Sequence, residues 1–447
     1  MSEHASNRGL RARAAPVAAA VAVLCGATLL HLARQRGVPV WNSLWAEDGR
    51  VFLSDAIRDF PGTLLDQNGG YIHVVPRLVG GVVAALPVAD AAAGMAVVAS
   101  AVIALIGGFV YVASAEVLRS KSTRLALAAS VVLVPIPGSE LLANATNLHF
   151  FMLFACFWAL VWQSDTRFAL SSRAIVALTT ALSDPLSGLF LPLALVAPVV
   201  RRSRRGGVVT AVFVAGLVVQ YAIISGGGPP ERNWEFREVA VPVIFSLRVG
   251  GGLLVGDRFL GDAWSAFGHA FAFGALLVVA GVIASLMRRS TRRTVAFAVI
   301  ALSYAGLFFA VQMFGRGTGG LDPDLHGFRL NGARYVLLPF LMVTTVVLAL
   351  VDAPPDRLHD PVLRWSRRAA LLWIAALLAV NYSLTTDRSR GPRWDRELAH
   401  ARGECAAPGR QEAKVLVAPS PPRVWFATIP CNRIRVVPDA RSRPSPR

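Results

Sequence analysis

The sequence has few charged residues for its length. Only 16% of its 447 residues are Asp, Glu, Lys or Arg, whereas 54% are apolar and the mean hydropathy is +0.52. A chain of this size could form two or three domains, but soluble domains carry about 25% charged residues. The composition therefore argues against an ordinary soluble protein and predicts an all-α membrane protein that crosses the bilayer many times.

The sequence also lacks the short motifs of several protein classes. It contains no phosphate-binding glycine-rich loop, no Cys-x-x-Cys pair and no His-Glu-x-x-His. Nucleotide-driven transport, zinc chemistry and metalloprotease activity are therefore without their usual signatures. The sequence indicates no particular cofactor and leaves open whether a divalent cation takes part.

Acidic residues are fewer than basic ones, and the formal net charge is +18. In a soluble protein this excess would suggest a nucleic-acid partner. Here the arginines lie in short clusters between apolar runs, where they orient a chain in the bilayer. Membrane lipid is therefore an expected partner, and nucleic acid is not.

Cysteine is scarce, with four residues in the chain. Cys25 and Cys156 lie inside apolar runs, where a cysteine is most simply a small core residue. Cys405 and Cys431 lie in a polar C-terminal tail, residues 385–447. If the tail faces an oxidising compartment, the second pair is well placed for a disulfide, so the topology decides its role.

The first apolar run extends from Ala14 to Leu32 and follows a polar, arginine-containing segment, residues 1–13. The run is long for a signal peptide, and no small-x-small cleavage site follows it. We therefore predict an uncleaved first span with residues 1–13 in the cytoplasm.

Basic clusters set the predicted topology of the remaining chain, because cytoplasmic loops carry an excess of Lys and Arg. They predict about eleven transmembrane helices within residues 14–384, with the N-terminus inside and the tail outside. The spans after the first are expected at 91–117, 125–136, 149–162, twice within 174–200, and at 208–224, 267–287, 295–314, 335–351 and 369–383.

The apolar stretch from Ala174 to Val200 is long enough for one span of about 20 residues. A single crossing would put the arginines of residues 201–205 outside, against the positive-inside bias. Two short spans, broken at Ser183-Asp184-Pro185, return the chain to the cytoplasm. We therefore predict a broken pair.

The loop of residues 34–73 carries five carboxylates against four arginines, so it lacks the basic excess of a cytoplasmic loop and is predicted to lie outside. Residues 51–60 are predicted to form a short helix at the membrane surface, and a second helix, interfacial or half-inserted, is predicted to extend to Pro87. Glu47 and Asp48 are adjacent carboxylates beside a membrane span. Such groups are costly to desolvate, which makes them site candidates, although an ordinary acidic turn is the alternative.

Further polar residues fall on the same predicted outer face, and each has a structural alternative. Asn147 and His149 begin a span and could only cap it. Arg77 and Arg334 stand where arginines often reach the lipid headgroups, and Asp184 could simply end a helix. The other candidates for a site on this face are His73, His326 and Tyr335.

The segments WAEDGRVFL, GYIHVVPRL, NATNLHFF and GARYVLLP, together with the two-cysteine tail, resemble the GT-C superfamily of integral-membrane glycosyltransferases. The resemblance implies a polyprenyl-phosphate-linked sugar as donor and an external carboxylate as base. Carried onto this sequence, Asp48 is the base with Glu47 beside it. Arg77, Arg334 and Tyr335 are the candidates for binding the donor phosphate.

The predicted function is thus sugar transfer to an envelope glycan or lipid acceptor on the outer face of the cell membrane. A transporter or flippase of lipid-linked sugars is the alternative from another class, and a non-catalytic envelope assembly protein is a third. A transporter should carry ionisable residues at mid-membrane depth in several spans. Apart from Asp184, the predicted spans are nearly free of them, which favours a site on one face.

Overall fold

The computed structural model describes residues 2–201, 204–226, 235–352, 360–420 and 424–435. Parts of the predicted segments lie outside the described residues: residue 1 of the N-terminal segment, 202–203 of the arginine cluster, 227–234 and 353–359 within the membrane domain, and 421–423 and 436–447 of the tail.

Helices make up most of the described chain. The α-helices are α1 (Ser2–Leu32), α2 (Ser54–Asp59), α3 (Val74–Ala84), α4 (Ala91–Ala113), α5 (Lys121–Val132), α6 (Leu148–Val161), α7 (Arg167–Ala181), α8 (Leu191–Arg201), α9 (Arg204–Ser225), α10 (Ala240–Phe245), α11 (Gly252–Val255), α12 (Asp257–Arg288), α13 (Arg292–Arg316), α14 (Pro323–His326), α15 (Ala333–Val351), α16 (Pro361–Val380), α17 (Trp394–Cys405) and α18 (Cys431–Arg435).

Shorter helical turns and two hairpins connect these helices. The 3₁₀ turns are Val40–Asn42, Gly62–Leu65, Val88–Asp90, Ser114–Glu116, Pro185–Phe190 and Asp387–Arg390, and π-helical segments cover Asp48–Leu53 and Ser246–Gly251. The antiparallel hairpins are β1 (Gln67–Asn68) with β2 (Tyr71–Ile72), and β3 (Glu412–Val417) with β4 (Trp425–Pro430).

Five stretches of the described chain are long and apolar enough to cross a bilayer. They are Val88–Glu116, Gly206–Ser225, Asp257–Arg288, Arg292–Arg316 and Ala333–Val351. Five shorter apolar helices accompany them, at Val17–Leu32, Val74–Ala84, Leu148–Val161, Pro185–Val196 and Ala240–Val255. The chain is therefore a helical, membrane-type protein, while the count of eleven spans and the sides of the membrane stay predictions.

The predicted break within residues 174–200 is present. Helix α7 ends at Ala181, and a 3₁₀ turn over Pro185–Phe190 precedes α8. The carboxylate of Asp184 accepts a hydrogen bond from the Leu186 N–H at 2.9 Å and so caps the turn. Pro185 has no backbone N–H, so it cannot donate a hydrogen bond at this position. Helix α12 has a comparable interruption at Gly268, whose φ of 52° is a left-handed conformation that favours glycine.

Helices α6 and α15 form the centre of the bundle. In the most apolar part of α15, 89% of the residues are buried, against 28% in α12 and α13. A helix that is apolar and buried on all sides packs against other helices rather than lipid. Phe150 of α6 contacts Tyr335 of α15, with ring centroids 6.0 Å apart, so the two helices pack together beside the candidate residue Tyr335.

The tail is a small mixed unit, so the prediction of an all-α chain is wrong for this part. Ala413, Val415 and Val417 are buried on one face of β3, with the period of two that a strand requires. A disulfide joins Cys405, at the end of α17, to Cys431, at the start of α18. Cys156 is a buried core residue as expected, but Cys25 is exposed on α1, which corrects its assignment to the core.

Candidate functional site

The site is built around residues 134–147, which we call the central loop. This segment has no regular helix, and all of its residues are buried. Buried backbone N–H and C=O groups need partners, and here distant side chains supply several of them. His31 accepts a hydrogen bond from Ala143 N–H at 3.2 Å through Nε2, and Arg34 Nη2 donates to the Val134 carbonyl at 2.7 Å.

Asp48 binds the other side of the central loop and is fully buried. Its carboxylate accepts hydrogen bonds from Ala145 N–H at 3.1 Å, Thr146 N–H at 2.8 Å and the Thr146 hydroxyl at 2.6 Å. Burial raises the pKa of Asp48 to about 6, although Thr146, Arg388 and Ala145 favour the charged form. These bonds use the carboxylate to hold the loop, which leaves it poorly placed to meet a substrate.

Arg388, near the start of the tail, binds both the central loop and the loop of residues 34–73 and is 1% exposed. Its guanidinium donates to the carbonyls of Leu142 at 2.8 Å, Val40 at 3.0 Å and Ser43 at 2.6 Å, and to the Ser43 hydroxyl at 2.9 Å. Burial lowers the pKa of Arg388 to about 10, and Asp48 opposes that effect, so the arginine stays charged at neutral pH.

Glu47 differs from Asp48 in both its burial and its hydrogen bonding. Its side chain is partly exposed, and no hydrogen bond to it is found in the described part of the chain. It lies close enough to Arg334 for electrostatic attraction. Of the two adjacent carboxylates, Glu47 is therefore the one with oxygens free for a ligand.

Arg334 is held beside Glu47 by two further groups. Its Nη1 forms an ion pair with Glu140 Oε1 at 3.1 Å, and its Nη2 donates to the Tyr335 hydroxyl at 3.1 Å. The other Glu140 oxygen accepts a hydrogen bond from Gly332 N–H at 2.9 Å, so the carboxylate is itself fixed. Arg334 is 23% exposed, and a positioned guanidinium of this kind can bind an anionic oxygen.

His149 and Asp184 form a hydrogen-bonded pair in the same region. Nδ1 of His149 lies 2.7 Å from Asp184 Oδ2, and both side chains are nearly fully buried. The carboxylate accepts, so Nδ1 carries the proton. No described residue forms a hydrogen bond with Nε2, which is therefore free to contact a ligand.

His73 lies against His149, with the two rings edge to face and their centroids 5.2 Å apart. Its Nε2 is 2.9 Å from the Asn68 carbonyl and must donate to it, so Nδ1 is an acceptor. That buried Nδ1 has no partner in the described part of the chain. Burial, followed by His149, lowers the pKa of His73 well below its usual range, so the ring is neutral.

Three other predicted residues lie in different settings. Arg77 is buried and donates to the Asp55 carboxylate at 3.2 Å and to the Asp66 carbonyl at 3.0 Å. It therefore stabilises the loop of residues 34–73 rather than facing a ligand. Asn147 does not cap α6, contrary to the structural alternative, and instead donates to the Glu140 carbonyl at 2.8 Å. His326 is exposed on α14 and contacts none of the other candidate residues.

Sequence reasoning missed three residues of this cluster. Glu140 forms the ion pair with Arg334, and the Tyr71 ring contacts the His73 ring with centroids 4.2 Å apart. Arg388 lies close enough to Asp48 for electrostatic attraction. Arg316, at the end of α13, lies at the edge of the cluster, since a Cβ on Gly69 would be 4.0 Å from its Nη2. The sequence offered one signal for Glu140, which is its position as an isolated acid just after the apolar run that ends at Pro135-Ile-Pro-Gly.

The described residues contain no group of three or more His, Cys, Asp or Glu side chains that could hold a metal ion. Comparison of the chain with protein-family models, with curated proteins and with solved structures gives no match. The resemblance to GT-C enzymes therefore stays a prediction from short motifs, and the function has to be argued from the site alone.

Proposed function

We propose that the protein is a glycosyltransferase that moves a sugar from a polyprenyl-phosphate donor to an envelope glycan or lipid. The reaction would take place on the outer face of the cell membrane, in a chain of eleven spans with a cytoplasmic N-terminus and an external tail. One observation carries the proposal. A carboxylate without hydrogen bonds, Glu47, lies beside a braced and partly exposed guanidinium, Arg334.

In the proposed step, Glu47 acts as the base and Asp48 as its support, which reverses the roles implied by the resemblance. Glu47 takes the proton of the acceptor hydroxyl as that oxygen bonds to the anomeric carbon. The bond from the anomeric carbon to the phosphate oxygen breaks, and the phosphate leaves with the electron pair. Arg334, aided by Arg316, stabilises the negative charge that develops on it.

Histidine and tyrosine side chains complete the proposed site. Nε2 of His149, with its proton on Nδ1 directed to Asp184, can accept a hydrogen bond from a sugar hydroxyl. Nδ1 of His73 is a second buried acceptor without a partner among the described residues. Tyr71, stacked on His73, provides an aromatic ring at the edge of this pair.

A transporter of lipid-linked sugars is the competing proposal. It would need ionisable residues deep in several spans, whereas those of α13 and α15 are near the helix ends, as with Arg316 and Arg334. This distribution supports a reaction site on one face over a transmembrane path. Flipping of the donor across liposome membranes, without any transfer, would favour the transporter.

The test uses the purified full chain in lipid nanodiscs with a panel of radiolabelled polyprenyl-phosphate sugars and candidate acceptors. Once a transferred sugar is found, Glu47→Gln should lower the rate by about 100- to 10,000-fold while donor binding persists. Glu238 is an exposed acid whose side chain forms no hydrogen bond or ion pair in the described structure, and Glu238→Gln is therefore the matched control. Full activity of Glu47→Gln would exclude Glu47 as the base.

A further inference from the structure

A groove with a volume of about 810 Å³ lies between α5, α12, α15 and α16, and none of the candidate catalytic or binding side chains lines it. Its walls are almost wholly apolar, with side chains such as Leu277, Phe340, Val347 and Leu377. Both α12 and α15 belong to the stretches that can cross a bilayer. A groove of this composition between such helices is suited to hydrocarbon rather than to water.

The length of the groove corresponds to one leaflet of a membrane. Along α16 its wall extends from Ser366 to Leu378, and along α15 from Phe340 to Val351. At 1.5 Å per helical residue, these twelve and eleven steps cover about 16–18 Å. The hydrocarbon core of a bilayer is about 30 Å thick, so half of it is about 15 Å.

One end of the groove is strongly basic. Leu286 and Ser366 line that end, Arg288 follows on α12, and Arg364 and Arg368 flank Ser366 on α16. Arg288 and Arg364 are exposed, and their side chains form no hydrogen bond or ion pair in the described part of the chain. Two described acids lie near this end: Asp360, which pairs with Arg289 at 3.7 Å, and Asp352, whose carboxylate accepts hydrogen bonds from the backbone N–H groups of Arg119 and Ser120.

The other end of the groove is closed by apolar residues next to the central loop. Pro135, a residue of that loop, lines the groove together with Leu253 and Trp373. The Trp373 indole donates a hydrogen bond to the Leu253 carbonyl at 3.0 Å, which ties α16 to α11 there. A chain that enters from the basic end would therefore terminate beneath the loop that carries Glu140.

We propose that this groove binds an anionic phospholipid from the leaflet on the arginine side. An acyl chain fills the apolar groove, and the phosphate contacts Arg288, Arg364 and Arg368. Clusters of arginines at a membrane surface attract anionic headgroups. The length of one leaflet and the basic end together distinguish this occupant from a lipid of the opposite leaflet.

The first test fills the groove. Gly281 lines it, and Gly306 is an exposed glycine of α13 outside it; a Cβ at either position would meet no atom within 4 Å. The full chain carrying Gly281→Trp, or Gly306→Trp as control, is placed in phosphatidylcholine nanodiscs with a small fraction of phosphatidylglycerol. Native mass spectrometry should detect bound phosphatidylglycerol in the wild type and the control, and at least tenfold less in Gly281→Trp.

The second test removes charge without filling space. Arg288→Gln combined with Arg364→Gln should lower phosphatidylglycerol occupancy about tenfold or more, to the level of phosphatidylcholine. Arg167→Gln combined with Arg396→Gln removes the same charge from exposed arginines elsewhere and should have no effect. This test stands even if Gly281→Trp fails to fold.

Three results would overturn the proposal. Equal retention of phosphatidylglycerol and phosphatidylcholine by the wild type would remove the role of the arginines. Unchanged occupancy in the charge variant would place the bound lipid elsewhere. Recovery of an isoprenoid lipid in place of phospholipid would assign the groove to a different occupant.

Discussion

Thr146 donates two hydrogen bonds to a single oxygen of Asp48, from its backbone N–H at 2.8 Å and its hydroxyl at 2.6 Å. The two residues are 98 positions apart in sequence. This double contact, with Ala145 on the other oxygen, makes Asp48 the buried anchor of the central loop. It also explains how two adjacent carboxylates come to have different surroundings, since the chain turns Asp48 inward and leaves Glu47 partly exposed.

The first prediction distinguishes the structural role of Asp48 from the role of Glu47 as the proposed base. Asp48→Ala leaves three buried donors without an acceptor and Arg388 without its counter-charge, so it should destabilise the fold by roughly 3–5 kcal/mol. Glu47→Ala, at a partly exposed side chain without hydrogen bonds among the described residues, should change stability by about 0.5 kcal/mol or less. Thermal unfolding in the same detergent compares the two. Equal losses would contradict the anchor role.

The second prediction concerns pH. Burial raises the pKa of Asp48 to about 6 from an ordinary value of 3.8, so the folded state binds the proton more tightly than the unfolded chain. The contribution of Asp48 to the free energy of unfolding should therefore decrease as pH rises from about 4 to 6, by up to roughly 3 kcal/mol. Asp48→Asn should remove this dependence. The difference between the wild-type and variant stability curves measures it, and parallel curves would refute it.

The third prediction concerns the disulfide of the tail. The backbone of Ala418 forms hydrogen bonds with the backbones of Leu44 and Ala46, and Thr428 N–H donates to the Ser54 hydroxyl at 2.9 Å. The tail therefore contacts the loop of residues 34–73 on both sides of Glu47. Cys405 and Cys431 are 26 residues apart, and loss of their bond should destabilise the tail by about 3 kcal/mol.

Limited proteolysis should then cut the tail of a Cys405→Ala, Cys431→Ala double variant well before the wild type. A Cys25→Ala variant is the matched control, because Cys25 is a free thiol on α1. Equal cleavage of all three proteins would show that the disulfide adds nothing to the tail.

The fourth prediction tests how Arg334 is held. Glu140→Gln keeps the shape of the side chain but removes the ion pair at 3.1 Å, so the guanidinium should lose its fixed position. Arg334→Lys keeps the charge but loses the planar fork. If Arg334 binds the donor phosphate, both variants should weaken donor binding about tenfold, and Arg334→Ala more. Unchanged affinity in Arg334→Ala would reduce the residue to a membrane anchor.

The long helices could be predicted from the sequence, because apolar runs of this length have few other solutions. The span expected at 335–351 corresponds to α15 (Ala333–Val351), and the broken pair in 174–200 corresponds to α7 and α8. The small unit of the tail could not be predicted in the same way. Its alternating strand β3 has only six residues, too few to stand out in a polar segment.

The residues of the candidate site could be proposed from the sequence only in part. Glu47, His73, His149 and Arg334 were named as candidates, and their role as a site stays a prediction. The division of Glu47 and Asp48 between a partly exposed and a buried position could not be predicted. That division depends on Thr146 and Arg388, which are distant in sequence, and on a π-helical segment that starts at Asp48. Glu140 was missed for the same reason, because its importance arises only when the central loop meets α15.

The partners of the central loop also determine when the site can form during synthesis. His31 and Arg34 emerge early, Asp48 follows, and Arg388 comes after every predicted span. A nascent chain that has inserted residues 1–387 therefore still lacks the guanidinium that donates to the carbonyls of Leu142 and Ala143 in the loop. We expect this intermediate to bury the loop incompletely and to depend on membrane chaperones until translation passes Arg388.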